Sequence, residues 1–387
     1  MIRVASVHYN LLPYHVARYR AMEASAGARF SVQPMLLGGT AEYRQIAASS
    51  TSDHGLEVRR VATGPGWRQR VHAMLAELQP DVILLAAGYG QRDAITVMQW
   101  AVVRQVPVVL CSDSQERDAP RAWWKEQVKR LLVRCCASYF AAGSRHVDYL
   151  VKLGAGRERI SVGLDVVDND HFSAIGADVA SRKTGEFLAC ARLVEKKNLH
   201  TLIAAYARYL VLARTAQPAS MPWRLAIVGD GPLRASLEKQ VDALGVRESV
   251  RFEGFLPYAA LPGRYAAASA FILPSSVDQW GLVVNEAMAA RLPVLVSTQC
   301  GCAPELVLEG INGFTFPPHD VERLAALMLS LWSQGGKGMG LASYRLISDW
   351  GLDRYVSGLS QALEIAVTRP SQSAGLASRA LLRIWMR

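Results

Sequence analysis

The sequence predicts two α/β domains in tandem, each a doubly wound parallel sheet covered by helices on both faces. Three observations carry this expectation. Short apolar runs alternate with helix-length segments through the first half of the chain. Strands separated in this way imply a parallel sheet buried on both faces. The same alternation restarts after Gly176, and a chain of 387 residues, 51% hydrophobic and 20% charged, is long enough for two separate cores.

In the first half the expected strands are Arg3–Val7, Phe30–Leu37, Leu56–Val61, Asp81–Ala87, Val106–Cys111 and Ser138–Ala142, with helical patterns at Tyr14–Ala26, Trp67–Leu78, Arg92–Arg104 and Arg121–Cys136. The second half gives strands Glu186–Cys190, Arg224–Val228, Val250–Phe252, Ala270–Leu273 and Val294–Ser297, separated by helical Leu199–Leu212, Leu233–Leu244, Tyr258–Ala268 and Leu282–Arg291. The stretch around Asp165–Asp178 reads as the linker. This places a first domain at 1–165, a second at 166–350 and a helical segment at 351–387 that can pack back on the first domain.

Composition narrows the partners. A formal net charge of +10 favours anionic ligands: nucleotide diphosphates, lipid headgroups or nucleic acid. Nucleic acid ranks last, since neither a zinc finger nor an RNA-recognition signature is present. The six cysteines include adjacent Cys135–Cys136 and the pair Cys300/Cys302 without any CxxC, so reduced, cytosolic cysteines are the simplest reading and neither a zinc site nor a disulfide framework is indicated. No apolar run reaches the roughly 18 residues of a membrane-spanning helix, and the opening MIRVASVHYNLLPYH is not expected to be a secretory signal.

The densest chemistry lies in Ser275–Glu305, SSVDQWGLVVNEAMAARLPVLVSTQCGCAPE. It leaves the strand at Ala270–Leu273 and turns at Gly281 into a helix, so a ligand site at the strand's carboxyl end is expected. Asp278 lies in the loop and Glu286 about one turn inside the helix, eight positions apart, so that both carboxylates can face one side. The backbone N–H groups of Trp280, Gly281 and Leu282 would point the same way and form an anion site. Such a set suits a sugar joined to a phosphate. On spacing alone, an ordinary strand–helix turn with an incidental Asp and Glu fits equally well.

Two further loops belong to the same domain. Ala191-Arg192-Leu193-Val194-Glu195-Lys196-Lys197 follows the domain's first strand, and Arg192 and Lys197, at i and i+5, can both reach one diphosphate, Arg as a fork and Lys as a point charge. Val228-Gly229-Asp230-Gly231-Pro232 ends the next strand, where glycines permit a tight turn and close backbone approach.

The pattern P-S-S-x-D-x-W-G-L-x-x-N-E-A-M-A-A-x-L-P-V-L-V-S, continued by Pro304-Glu305 and Asn312-Gly313, closely resembles the signature of the family 4 (group 1) glycosyltransferases, retaining enzymes of the GT-B fold. The resemblance is strong from about Ala142 to Pro318. It implies two Rossmann-like domains with parallel sheets facing an interdomain cleft. It also implies transfer of a hexosyl unit from a nucleotide-diphospho-sugar to a glycan or lipid-linked acceptor, with no metal or other cofactor, in polysaccharide or cell-envelope assembly. Arg192 and Lys197 then hold the donor phosphates, Glu286 the ribose and Asp278 the hexose. Gly229, Gly231, Phe255, Gln279, Trp280, Gly281, Leu282 and Glu305 line the donor, Phe255 in a segment meeting the base through backbone atoms, its apolar side chains expected in the core.

The chain departs from the family at Asp278, Gln279 and Trp280, where Glu, Gly and Phe are usual. In the first domain Tyr9-Asn10-Leu11-Leu12-Pro13-Tyr14-His15 replaces paired glycines, and Cys111-Ser112-Asp113 stands where a histidine often follows the fifth strand. His15 and Asp113 are the acceptor-side candidates, both at carboxyl ends of strands. Two rival readings are a GT-B sugar-nucleotide epimerase and a catalytically silent nucleotide-binding partner protein. No DxD pair of the metal-binding kind stands at a strand end, since Asp168-Asn169-Asp170 falls in the linker, so no metal is expected. Finally, Arg379, Arg383 and Arg387 share one helical face of Leu376–Arg387 opposite Leu381, Ile384 and Trp385. That end either lies on an anionic membrane or packs back on the first domain, for a cytoplasmic enzyme peripheral on the membrane's inner face.

Overall fold

The computed structural model describes residues 1–26, 29–38, 55–88, 90–119, 121–174, 185–336 and 338–369. The chain divides into two compact units. The first takes most of the chain up to Val166 together with the stretch from Leu352, and the second takes Val167–Gly351.

Among the described residues the first unit contains β1 (Ile2–His8), α1 (Pro13–Ala26), β2 (Phe30–Leu36), β3 (Arg59–Arg60), α2 (Trp67–Leu78), β4 (Val82–Leu85), α3 (Arg92–Arg104), β5 (Val108–Ser112), α4 (Trp123–Val133), β6 (Ser138–Ala141), α5 (Ser144–Lys152) and β7 (Ile160–Val162). Its strands form one parallel sheet in the order β3-β2-β1-β4-β5-β6-β7, with Val4 opposite Val82 and Ile83 opposite Val108. The order reverses at β1 and β4, which opens a crevice outside their carboxyl ends. One core gathers alternate strand residues, Ala5, Val7, Ile83, Leu85 and Leu110, with Val71, Leu75, Met98 and Leu150 of the helices. The period of two along each strand sends the intervening residues to the opposite face.

The second unit contains α6 (Asn169–Ser173), β8 (Glu186–Cys190), α7 (Leu199–Ala216), β9 (Arg224–Val228), α8 (Arg234–Ala243), β10 (Val250–Gly254), α9 (Leu261–Ala267), β11 (Ala270–Leu273), α10 (Leu282–Ala289), β12 (Val294–Ser297), α11 (Ala303–Leu306), β13 (Gly313–Phe316), α12 (Val321–Gln334) and α13 (Met339–Ser348). Its sheet is again parallel, in the order β10-β9-β8-β11-β12-β13, and reverses at β8 and β11. Fully buried Phe187, Tyr206, Tyr209 and Phe316 lie in its core. Among the described residues no helix is long and apolar enough to cross a membrane.

The expected elements differ from the structure in three places. Leu56–Val61 pairs only through Arg59–Arg60, opposite Met35 and Leu36 at the sheet edge. Tyr258–Ala268 is a single 3-10 turn, Tyr258–Ala260, followed by α9, whose Pro262 occupies the first turn, where a missing N–H costs nothing. The assumed linker contains helix α6, because the Asp168 carboxylate caps it by accepting from the N–H groups of Asp170 and His171, and Phe172 is fully buried. The rest of that linker from 175 on, and the terminal segment Leu376–Arg387, lie outside the described residues.

The last described helix, α14 (Leu352–Thr368), returns to the first unit and packs on α1, β5, β6 and β7. Tyr355, Leu359, Ala362, Leu363 and Ala366 are buried along one stripe, and the Ser138 hydroxyl donates to the Ala362 carbonyl at 2.7 Å. Gly358 sits against the sheet so closely that a Cβ there would lie 2.4 Å from the Val162 carbonyl oxygen and 2.7 Å from the Phe140 ring. Gly358→Ala is therefore expected to lower stability by about 1–3 kcal/mol through overpacking. Ser357→Ala, on the exposed side, should stay within about 0.5 kcal/mol; equal urea midpoints for the two variants would contradict this docking.

Candidate active site

The site residues of the second unit are positioned by the loops after β8, β9 and β11. The first two loops are laced together: Ala191 N–H donates to Val228 O at 3.0 Å, Leu193 N–H to Asp230 O at 3.0 Å and Leu233 N–H to Leu193 O at 3.1 Å. This lacing explains Gly229, whose φ is +126° and whose Cβ, if it had one, would lie 2.0 Å from the Ala191 carbonyl oxygen. Gly231 meets the Leu193 carbonyl almost as closely. Arg192 stands exposed on the laced loop, and Lys197 ends a single 3-10 turn, Glu195–Lys197.

That turn is fixed to the β11 loop by backbone. Ser276 and Val277 N–H both donate to the Lys196 carbonyl, at 2.9 and 3.4 Å, and Asn198 Nδ2 reaches Pro274 O at 3.1 Å and Pro318 O at 2.6 Å. Adjacent strands β8 and β11 thus deliver Lys197 and Asp278 to one point. Lys197 Nζ lies 2.5 Å from Asp278 Oδ2, to which Ser275 Oγ also donates at 3.2 Å. From the other side Gly301 N–H donates to Asp278 O at 3.0 Å and Cys302 N–H to Trp280 O at 3.1 Å.

Trp280 contributes backbone rather than side chain here. Its indole is buried against Trp350, with ring centroids 5.3 Å apart, and its Nε1–H donates to Asn285 Oδ1 at 2.9 Å. Gly281, at φ +103°, then turns the chain into α10. Val284 N–H donates to Gly281 O at 2.8 Å, and the first-turn N–H groups of Leu282 and Val283 lie at the positive end of the helix dipole. Gln279 is exposed, and Glu305, half-buried, sits in the short helix α11.

Glu286 lies one turn into α10 and is buried, its Oε2 accepting from the Tyr265 hydroxyl at 2.7 Å. Desolvation pushes its carboxyl up to about 7, against the partial opposition of that hydrogen bond. The Cys190 thiol at the end of β8, pushed up to about 12 by burial, feels the charges of both Glu286 and Lys197, so these groups surround one strand end. Phe255 corrects the sequence reading: its side chain is 65% exposed beyond the end of β10, not in the core. Its neighbour Gly254 offers its carbonyl to Gly229 N–H at 2.7 Å, which ties the β10 end to the same group of loops.

In the first unit His15 and Asp113 come together. Both line a cavity of about 180 Å³ at the carboxyl ends of β1, β4 and β5, with Tyr14, Arg18, Asp165 and Tyr355. His15 Nδ1 accepts from Leu12 N–H at 2.9 Å, so the neutral ring carries its proton on Nε2. Burial lowers His15 well below the ordinary histidine value and His8 to about 3, with nearby Arg18 adding to both shifts. Arg18 is buried, its guanidinium donating to Val166 O at 2.8 and 3.1 Å beside Asp165. Sequence reasoning missed Arg18, although it falls one turn from His15 on α1, and missed Tyr265, for which no motif exists.

Comparison with known proteins places these features. Residues 177–342 match the family model described as glycosyl transferases group 1, which covers most of the second unit. The chain is 30% identical to glycogen synthase of Mycobacterium tuberculosis over 283 residues, 72% of this chain and 63% of that protein. It is 32% identical to the putative colanic acid biosynthesis glycosyltransferase WcaL of Escherichia coli over 182 residues, 46% of this chain and 43% of that one. It thus spans less than two thirds of the length of these curated relatives. Among solved structures, Anabaena HepE in complex with UDP and glucose superposes with a TM-score of 0.72 at 18% identity, over 94% of this chain and 100% of HepE. Sucrose-phosphate synthase of Thermosynechococcus elongatus gives 0.70 at 17% identity, over 94% and 98%. The fold, two Rossmann-like α/β domains with parallel sheets, is that of the GT-B glycosyltransferases.

Proposed function

We propose that the protein is a retaining GT-B glycosyltransferase that moves a hexosyl unit from a nucleotide-diphospho-sugar to a glycan or lipid-linked acceptor in polysaccharide or cell-envelope biosynthesis. The observation that carries this reading is the gathering of Lys197, Asp278 and the buried Glu286 at the ends of β8 and β11, with Arg192 exposed on the loop after β8. Arg192, Lys197 and the start of α10 stabilise the charge that grows on the departing diphosphate. Asp278 takes hexose hydroxyls and Glu286 the ribose hydroxyls. The bond from the sugar's anomeric carbon to phosphate breaks and one to the acceptor oxygen forms on the same face. The acceptor's proton passes to the leaving phosphate oxygen. The two cations and the helix start make a divalent metal unnecessary.

The first domain is the acceptor side in this reading, with Asp113 and the Nε2–H of His15 as its polar contacts. Relatives described as glycosyltransferases of colanic acid and amylovoran biosynthesis favour transfer over epimerisation or silent binding. HepE has been crystallised with UDP and with UDP-glucose, so uridine donors are the first to test, followed by GDP and ADP sugars. Arg192→Ala and Lys197→Ala should each lower turnover by about two orders of magnitude or more. Lys196→Ala, which keeps the carbonyl that clips the loops, should be mild. Near-normal turnover in both of the first two variants would sink the assignment.

Glu286 makes donor binding depend on pH. When ionised it offers both carboxylate oxygens to ribose hydroxyls, whereas protonation turns one of them into a donor, and burial keeps the carboxyl protonated up to about 7. Affinity for the nucleotide-sugar should therefore be full above pH 8 and fall as pH drops through 7, with Kd about tenfold higher at pH 6 than at pH 8. Glu286→Gln should bind weakly with a flat profile. Calorimetry showing equal profiles for the two proteins would remove Glu286 from the ribose site.

A lipid-linked acceptor brings in a membrane surface, and α4 offers the support for it. Trp123 and Trp124 at its start are 75% and 54% exposed, with Lys125 Nζ 5.4 Å from the Trp124 ring centroid. Exposed indoles beside cations suit an anionic bilayer surface. Replacing both tryptophans by alanine should weaken binding to phosphatidylglycerol vesicles by about tenfold. Loss on truncation after Pro370 instead would assign the contact to the terminal segment.

A further inference from the structure

We infer that Asp278 is a selectivity gate: its ion pair with Lys197 admits a complete nucleotide-sugar at little cost and resists a free nucleoside diphosphate, so the site prefers the donor to its own by-product. The inference rests on the nucleotide-sugar reading and concerns what the pair does within that site.

The pair is held, not incidental. Lys197 Nζ and Asp278 Oδ2 are 2.5 Å apart, and their side chains are only 13% and 14% exposed. The clip from Ser276 and Val277 to the Lys196 carbonyl fixes the spacing of the two backbones that carry them. Little side-chain entropy is then lost in pairing, and a shielded pair is weakly screened by salt. Removing one member leaves the other poorly solvated.

A nucleoside diphosphate that recruits Lys197 takes this cation away from Asp278. The carboxylate, still accepting from Ser275 Oγ at 3.2 Å, is left next to added negative charge. A nucleotide-sugar removes the same cation but supplies hexose hydroxyls, which donate to the carboxylate in the cation's place. The electrostatic penalty therefore falls on the ligand without a sugar. Once the hexose has gone to the acceptor, the carboxylate loses its hydroxyl donors and competes again for Lys197, which favours expulsion of the diphosphate.

The test is calorimetric titration of the full chain with UDP and UDP-glucose, repeated with GDP and GDP-mannose and with ADP and ADP-glucose. Asp278→Asn keeps the shape and removes the charge. It should bind the free diphosphate about fivefold or more tighter than the unmodified protein, without a matching gain for the nucleotide-sugar. Asp278→Ala should show the same gain, so the result does not depend on one variant's stability. The gain should shrink when Lys197→Ala is added, because the competition for the cation is gone and only direct repulsion by the carboxylate remains to be relieved. If the unmodified protein binds a nucleoside diphosphate but Asp278→Asn binds it no better, or gains equally for the nucleotide-sugar, the gate is overturned and the nucleotide-sugar reading stands. If none of the three diphosphates binds, both are overturned.

Discussion

The site depends on one backbone constraint, the acceptance of two N–H groups, from Ser276 and Val277, by the Lys196 carbonyl. Strands β8 and β11 are neighbours in the sheet, but neighbouring strands do not by themselves bring long loops into register. The clip does, and Asn198 secures it by spanning Pro274 and Pro318 with its amide. Two side chains 81 positions apart in sequence then face each other as an ion pair. Loops tied at their bases position charge more accurately than loops anchored only at strand ends, and electrostatic stabilisation of a leaving group needs that accuracy.

A second constraint acts from the glycines. The loops after β8 and β9 approach so closely that Gly229 cannot carry a side chain, and the same contact holds Arg192 at the rim. Arg192 stands exposed beside this crowded backbone, whereas the side chains of the Lys197–Asp278 pair are only 13% and 14% exposed. Glu286 is buried against Tyr265 and near Cys190. Burial gives it a proton affinity near neutrality, whereas the charges at the rim are compensated by one another or by solvent.

Much of this was legible in the sequence. Strands Glu186–Cys190, Arg224–Val228, Ala270–Leu273 and Val294–Ser297 stand where their apolar runs end, because parallel strands buried on both faces leave no ambiguity of pattern. Arg192, Lys197, Asp278 and Glu286 could be nominated from their place after strand ends together with the resemblance to the group 1 glycosyltransferases. Their mutual contacts could not, since the clip is made of main-chain atoms that any residue supplies. Packing of the last helical segment on the first domain was one of two alternatives the sequence left open, but its contacts were hidden: Gly358 against Val162 and Phe140, and the Ser138 hydroxyl on the Ala362 carbonyl. Phe255 was misplaced because an aromatic beside a strand end reads as core, and only the geometry after Gly254, at φ +73°, shows it turned outward.

Two of the departures from the pattern, Asp278 and Trp280, have one physical explanation. An indole at 280 is too large for a loop that merely passes over the start of α10, and here it is packed inward on Trp350 and hydrogen-bonded to Asn285. That anchor, with the bonds from Gly301 and Cys302, fixes the carboxyl half of the loop, while the Lys196 carbonyl fixes the amino half. Asp278 lies between the two anchors. A carboxylate one methylene shorter than glutamate reaches Lys197 because the backbone beneath it has been brought to Lys197 by those anchors. Trp280 and Asp278 are on this account parts of one adjustment: the larger side chain shapes the loop, and the shorter one fits the space that the loop then leaves.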